Sequence, residues 1–99
     1  MRRIPYPHPG EILDQEFLAP LNITRYRLSK AIGVPQTAIG EIINGTRSIT
    51  TETGLLLSRY FGTSDEFWIK LQVDYDAANA RDRIAPRLAK IVPFTEMHV

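Results

Sequence analysis

The chain has 99 residues, of which 43% are hydrophobic and none is cysteine, and its formal net charge is +1. This length and composition predict one small globular domain and exclude a disulfide framework, a thiolate metal site and a thiol nucleophile. No apolar run approaches the roughly 20 residues that span a bilayer, and none follows the basic segment 1–5, so we expect a cytoplasmic protein without a membrane span or signal peptide.

The segments with helical periodicity are short and are separated by proline and glycine, which predicts an all-α fold. The first predicted helix begins at Pro9, and we expect Pro20 to end it because proline disrupts a helix. The second predicted helix spans 25–32. Thr24 is its expected N-cap and Gly33 its expected C-terminal stop.

The third predicted helix begins at Pro35 and ends at Asn44, where the next residue is a glycine suited to a helix stop. The fourth follows Thr50 as its N-cap and ends at Gly62. Because the apolar residues of both helices recur every three or four positions, each is expected to bury one face in a shared core.

The fifth predicted helix, capped by Ser64, carries an aromatic-rich stripe that four short helices would not readily cover. The stripe consists of Phe67, Trp68, Leu71 and Tyr75. Aromatic residues at helical spacing usually belong to the core, but we expect this stripe to be shared between the core and the two-fold contact of a homodimer. Residues 81–90 predict a last short helix, and residues 94–99 are expected to fray.

The residues around Gly33 are those that a helix-turn-helix requires. Two short helices that meet at a steep angle need a permissive residue at the bend, a small residue at the crossing and apolar residues towards the core. Gly33 and Ser29 supply the first two. The apolar positions are Leu28, Ile32, Val34, Ile39 and Ile42. An ordinary αα-hairpin uses the same apolar spacing, so the exposed residues must distinguish the two interpretations.

The outward positions of the third predicted helix carry short or hydrogen-bonding groups. They are Gln36, Thr37, Gly40 and Glu41. Glutamine can bind adenine through two hydrogen bonds, threonine can offer a hydroxyl or a methyl group to a base edge, and glycine permits close approach. We therefore predict that this helix reads bases in the major groove of DNA.

Basic residues flank this predicted recognition helix. They are Arg25, Arg27, Lys30 and Arg47. Between residues 22 and 50 only Glu41 opposes them, whereas residues 65–76 carry four acids and one lysine. We expect the four basic residues to bind phosphates and to fix the register of the protein on DNA. Solubility alone would also explain Arg27 or Lys30 taken singly.

Residues 28–45 resemble the phage-repressor type of helix-turn-helix, and three further segments resemble the HigA antitoxins of bacterial toxin–antitoxin modules. Those segments are residues 8–13, 43–50 and 61–76. The resemblance implies a lambda-repressor-like bundle of about five short helices with a C-terminal helical extension. It also implies a dimeric repressor of its own operon that neutralises a HigB-type, RelE-like ribonuclease toxin.

The chain is expected to form a single domain with two parts. The helix-turn-helix core spans about 8–63, with the helix-turn-helix proper at 25–44, and a C-terminal segment for dimerisation or partner binding spans 64–99. His8 and His98 are far apart in sequence, so we expect no metal site; we also expect no cofactor, no small-molecule ligand and no enzymatic activity. Two alternatives stay open: a helical module that binds only proteins, and a phage-type repressor without a toxin.

Overall fold

In the computed structural model, which describes residues 6–95, all regular secondary structure is helical. The predicted all-α fold is therefore confirmed. The basic segment 1–5, His98 and residues 96–99 of the segment expected to fray lie outside the described residues. None of the helices within residues 6–95 is both long enough and apolar enough to cross a membrane.

Residues 9–21 form one continuous helix, α1, with a wider π-helical stretch in its middle. Its parts are Pro9–Ile12 (α-helical), Leu13–Leu18 (π-helical) and Ala19–Leu21 (α-helical). The prediction that Pro20 ends this helix is wrong, because Pro20 lies inside its last turn and the left-handed Asn22 follows as the C-cap. Proline disrupts a helix because it cannot donate the regular i→i−4 hydrogen bond. In the turns before Pro20 the helix is already π-helical, with i→i−5 hydrogen bonds in place of the regular ones.

The next three helices begin and end within one residue of the predicted positions. They are α2 (Arg25–Ile32), α3 (Gln36–Ile43) and α4 (Thr51–Phe61). Thr24 and Thr50 each accept a hydrogen bond at Oγ1 from the backbone N–H three residues later, at 3.0 and 3.2 Å. Gly33 and Gly62 end α2 and α4 with φ of 72° and 76°, a conformation that glycine adopts without steric cost.

The C-terminal helices differ from the predicted ones. Helix α5 spans Phe67–Arg83 and helix α6 spans Ala85–Ala89. The prediction that Ser64 caps α5 through its side chain is wrong, because Ser64 uses its backbone oxygen, which accepts a hydrogen bond from the Phe67 N–H at 3.2 Å. Helix α5 also continues to Arg83, into the segment 81–90 that was predicted as a last short helix, so that helix is shortened to α6.

The core joins helices α1 to α5 around Trp68. Its buried apolar residues are Leu13, Leu18, Leu28, Ile32, Ile39, Ile42, Ile49, Leu57 and Trp68. The Trp68 ring is 0% exposed and lies among the rings of Phe17, Phe61 and Phe67, with centroids 4.9, 6.1 and 5.2 Å away. Trp68 therefore lies on the core side of the predicted stripe, and the contact of that stripe with a second chain stays a prediction.

The C-terminal extension protrudes from this bundle. The chain measures 60 × 26 × 21 Å and has a radius of gyration of 17.3 Å, whereas a compact chain of this length has about 13 Å. Large apolar side chains are exposed throughout the segment after α5. They are Leu88, Ile91, Val92 and Phe94, with 43, 67, 75 and 90% of their surface accessible.

Candidate nucleic-acid interface

A hydrogen bond across the turn fixes α3 relative to α2. Ser29 Oγ donates to the Val34 carbonyl oxygen at 2.6 Å, on either side of the left-handed Gly33. The sequence predicts a small residue at position 29 so that the two helices can cross closely. The structure adds that the serine hydroxyl satisfies a backbone carbonyl of the turn, which an alanine could not do.

Helix α3 buries one face and presents a polar face to solvent. Ile39 and Ile42 are buried in the core. The predicted base-reading residues lie together on the opposite side, where all are exposed except the half-buried Gly40. Their spacing of one turn puts them on one surface, as a helix in a major groove requires. Their contacts with bases stay a prediction.

Arg25, the first residue of α2, reaches across to α3 beside Gly40. A Cβ atom added at Gly40 would lie 3.4 Å from Arg25 Nη1, which is van der Waals contact with the end of a flexible side chain. A side chain at position 40 would therefore touch the guanidinium group. The structure thus brings together a predicted base-reading residue and a predicted phosphate ligand.

Arg47 is held against α3 by Glu41. Arg47 donates from both Nε and Nη2 to Glu41 Oε1, each at 2.7 Å. The two side chains are 53% and 49% exposed, so solvent screens the pair and it contributes little to stability. Its effect is geometric, because it orients the guanidinium beside the polar face of α3. This pair has no local sequence pattern, because its partners lie six residues apart, on opposite sides of the helix end.

The other two predicted phosphate ligands lie on α2. Arg27 is exposed, and Lys30 Nζ lies 5.5 Å from the centroid of the Tyr26 ring. Arg47 is therefore oriented by its pair with α3 and Arg25 lies beside α3, whereas the contact of Lys30 is with its own helix.

The start of α1 packs directly on the end of α3. A Cβ atom at Gly10 would lie 1.7 Å from the Ile42 carbonyl oxygen, so only glycine fits there. His8 Nδ1 accepts a hydrogen bond from the Gly10 N–H at 2.9 Å, which caps α1. Burial lowers the pKa of His8 below its ordinary value, and the nearby carboxylate of Asp76 acts in the opposite direction.

Gln72 anchors the loop that carries Arg47. It is 5% exposed; its Oε1 accepts a hydrogen bond from the Ile49 N–H at 2.8 Å, and its Nε2 donates to Asp76 Oδ1 at 2.9 Å. The loop between α3 and α4 is therefore fixed to α5. Gln72 was not predicted as a site residue. It is a polar residue one turn after Trp68 on an otherwise apolar stripe, and such a position indicates a buried side chain that makes hydrogen bonds.

The residues predicted for a dimer contact have different surroundings. Phe67 and Leu71 are half-buried and line an open groove at the start of α5. Tyr75 packs edge-on against the His8 ring with the centroids 4.9 Å apart, and Trp68 lies in the core. Within residues 6–95, no group of three or more His, Cys, Asp or Glu side chains could hold a metal ion.

Known proteins with similar sequences include virulence-associated proteins, transcriptional regulators and an antitoxin. The helix-turn-helix family HTH_3 matches residues 15–68. Virulence-associated protein I of Dichelobacter nodosus is 42% identical over 73 residues, which are 74% of this chain and 68% of that protein. Antitoxin HigA-1 of Vibrio cholerae is 35% identical over 74 residues, which are 75% of this chain and 70% of that protein.

Solved structures of similar proteins include complexes with DNA. Pseudomonas aeruginosa antitoxin HigA with the higBA promoter is 34% identical, with a TM-score of 0.85 over 91% of this chain and 99% of that one. A HigA-family addiction module antidote protein from Coxiella burnetii is 35% identical, with a TM-score of 0.84 over 92% and 100%. A P. aeruginosa protein in complex with its operator DNA is 36% identical, with a TM-score of 0.85 over 95% and 97%.

Proposed function

The chain belongs to the helix-turn-helix family of DNA-binding regulators and, within it, to the HigA-type antitoxins, and we propose that it represses its own operon by binding the operator as a homodimer. One observation carries this proposal. At the exposed polar face of α3, the Arg25 guanidinium lies beside Gly40, and the Arg47 guanidinium is paired with Glu41.

These groups have separate tasks on DNA. Gln36 and Thr37, in the first turn of α3, bind base edges, and Glu41 and Gly40 complete the surface that enters the major groove. Arg25 and Arg47 bind the phosphates on either side and fix the register. Arg27 and Lys30 add phosphate contacts from α2. The helix-turn-helix core, about 8–63, contains all of these residues, and the segment 64–99 supplies partner contacts.

A homodimer is part of the proposal because one α3 helix reads only one half-site. Two recognition helices about 34 Å apart contact successive major grooves and raise both affinity and specificity. The open groove at Phe67 and Leu71 supports a contact through the C-terminal segment, since half-buried apolar side chains on a surface favour association.

The second part of the proposal is that the chain acts in the cytoplasm as the antitoxin of a HigB-type, RelE-like ribonuclease encoded beside it. Its role is to bind and not to catalyse. Support comes from the similarity to HigA antitoxins over nearly the whole chain. Co-expression with the neighbouring reading frame tests it: this chain should prevent cleavage of messenger RNA, and continued cleavage in a stable complex would contradict it.

DNA binding is tested with the duplex that lies upstream of the gene and with a shuffled duplex of the same length. We expect the upstream duplex to bind at least about 10³-fold more tightly at physiological salt. The variant Arg25→Glu should lose this binding without a change in its circular dichroism melt. Equal affinity of the wild type for both duplexes would favour the alternative of a module that binds only proteins. Full binding by Arg25→Glu would instead remove Arg25 from the phosphate contacts.

A further inference from the structure

His8 is half-buried at a point where three parts of the fold meet. It caps α1, whose Gly10 packs against the end of α3. A Cβ atom added at Gly45, in the α3–α4 loop (residues 44–50), would lie 3.9 Å from His8 Cγ, which is van der Waals contact with the ring. The ring also packs edge-on against Tyr75 of α5, with the centroids 4.9 Å apart. His8 therefore contacts α1, the α3–α4 loop and α5 at once.

The cap that His8 makes requires a neutral imidazole. Nδ1 accepts a hydrogen bond from the Gly10 N–H at 2.9 Å, and only a ring nitrogen without a proton can accept one. In the imidazolium form both ring nitrogens are donors, so the two N–H groups would point at each other. Protonation therefore breaks the cap and displaces the ring. Because the ring contacts Gly45 and Tyr75, its displacement disturbs the α3–α4 loop and α5 as well.

Two carboxylates oppose the effect of burial on His8. Asp76 of α5 and Glu11 of α1 raise its pKa, but burial of the ring lowers it by more, so the pKa lies below the ordinary value of 6.5. The contacts from Gly45 and Tyr75 bring no charge at neutral pH. The ring is therefore neutral at neutral pH and binds a proton as the solution becomes acidic.

Asp76 connects His8 to the far end of the α3–α4 loop. Its Oδ1 accepts a hydrogen bond from Gln72 Nε2 at 2.9 Å, and Gln72 Oε1 accepts one from the Ile49 N–H at 2.8 Å. A positive charge on His8 would attract the Asp76 carboxylate and compete with Gln72 for it. The loop would then lose part of its attachment to α5.

Arg47 lies midway between the two attached positions of this loop. Gly45, which contacts the His8 ring, precedes Arg47 by two residues, and Ile49, which is bound by α5, follows it by two. Both attachments fix the backbone from which the Arg47 side chain reaches Glu41 on α3. A proton on His8 therefore acts on this backbone from both sides.

We infer that His8 is a positioning residue for operator binding: its neutral imidazole holds the α3–α4 loop and Arg47 in the arrangement that binds DNA, and a proton on His8 releases them. Acidic conditions therefore weaken operator binding. This inference rests on the proposed function and adds a regulation of the same surface by pH. The direction is diagnostic, because added positive charge alone would strengthen binding to the DNA polyanion.

Operator affinity measured against pH tests the inference. The duplex upstream of the gene is titrated at fixed salt between about pH 7.5 and 5, wherever circular dichroism shows the folded chain. We expect the dissociation constant to be constant above about 6.5 and to rise on the order of 10-fold towards the acidic limit, since only the neutral form is competent. In His8→Asn, the asparagine can cap α1 without titrating, so the affinity of this variant should stay nearly constant.

A second pair of variants tests whether His8 is the group that titrates. Asp76→Asn keeps an oxygen that can accept from Gln72 but removes a charge that raises the pKa of His8, so the loss of affinity should shift to lower pH. Asp74→Asn is the matched control on the same helix, because Asp74 pairs with Lys70 at 3.3 Å. Its midpoint should be that of the wild type, whereas a purely structural role of His8 would give no shift in either variant.

The salt dependence tests whether the proton acts through Arg47. In the wild type, the slope of log affinity against log salt should be shallower by about 1 at the acidic limit than at neutral pH, since one phosphate contact is lost. In Arg47→Ala the slope should be the same under both conditions, and the dissociation constant should depend on pH much less than in the wild type. A pH dependence as large as that of the wild type would overturn the role given to Arg47.

The inference is overturned if the folded wild type binds the operator equally well or better in acid, or if His8→Asn loses affinity to the same extent. If His8→Asn does not fold, Asp76→Asn decides, and an unshifted midpoint overturns the inference. Failure of the proposed function looks different. A wild type that does not distinguish the operator from the shuffled duplex at neutral pH refutes that function, whereas specific binding of equal strength at every pH refutes only the role of His8.

Discussion

The α2–α3 region and the C-terminal segment differ in the chemistry of their exposed side chains. In the first, the exposed groups are polar and are oriented by contacts within the chain, such as that between Arg47 and Glu41. In the second, large apolar side chains are exposed beside the basic ones, and Ile91, Val92 and Phe94 are mostly accessible to solvent. A surface prepared for a polar ligand is complete in one chain, whereas an apolar surface of this size is typical of a contact that needs another protein.

The largest expected effect is a loss of stability, and it tests whether α3 is held rigidly against α1. Gly10→Ala places a methyl group within 1.7 Å of the Ile42 carbonyl oxygen, so α1 and α3 must separate. We expect the free energy of unfolding to fall by about 3 kcal/mol or more in urea denaturation.

The matched control is Gly40→Ala, where the nearest atom is the mobile Arg25 guanidinium at 3.4 Å. Alanine favours a helix over glycine by about 1 kcal/mol, so this variant should be as stable as the wild type while binding the operator less well. Equal stability of the two variants would mean that α1 is not held rigidly against α3.

The next effect concerns specificity within the polar region. Gln36→Ala and Thr37→Ala should each weaken operator binding by about 1–3 kcal/mol and leave binding to a random duplex nearly unchanged, because these side chains are expected to contact base edges. Competition binding at fixed salt measures both affinities. Equal losses on the two duplexes would remove the residue concerned from the base-reading set.

Arg47→Ala should act differently from the base-reading variants. It should lower the affinity for operator and random duplexes alike, and the slope of log affinity against log salt should become shallower by about 1, since one phosphate contact is lost. Glu41→Gln provides the control, because it keeps Arg47 and removes only the charge that orients it. An unchanged salt slope for Arg47→Ala would show that this arginine stays on Glu41 in the complex.

The smallest expected effect is a dependence of stability on pH. The pKa of His8 is lowered below its ordinary value of 6.5, so the folded protein binds this proton less readily than the unfolded chain does. Its contribution to stability should be fully present above 6.5 and should be lost as the pH falls through the lowered pKa. Thermal melts between about pH 7.5 and 5 measure this loss.

His8→Asn provides the comparison, because asparagine can cap α1 without titrating in this range. If the variant loses stability over the same pH range to the same extent, another group is responsible.

Much of the fold was predictable because its determinants are local. Thr24 and Thr50 cap helices through hydrogen bonds that span three residues, and Gly33 and Gly62 end helices by their own conformation. Such features depend on neighbouring residues and therefore appear in the sequence. The exposed face of α3 was predictable for the same reason, since helical periodicity sets which side each residue occupies.

What sequence reasoning missed depends on contacts between distant residues. Gly10 is required by the Ile42 carbonyl, and Gln72 binds the Ile49 N–H, and neither contact has a periodic signature. Periodicity also cannot tell whether an aromatic stripe packs against its own chain or a second one. Trp68 lies against its own chain, and the half-buried Phe67 leaves part of its surface available to another.

The hydrogen bond between Gln72 and Ile49 has a thermodynamic consequence. It joins the loop that carries Arg47 to α5, the helix proposed to contact a second copy. A protein that binds α5 and shifts Gln72 would move this loop, and in the proposed function it would thereby change the affinity for DNA. Linkage would make such an effect reciprocal, so that the operator changes the affinity for that protein by the same factor. One buried amide would thus couple occupancy of the proposed operator to the binding of a partner.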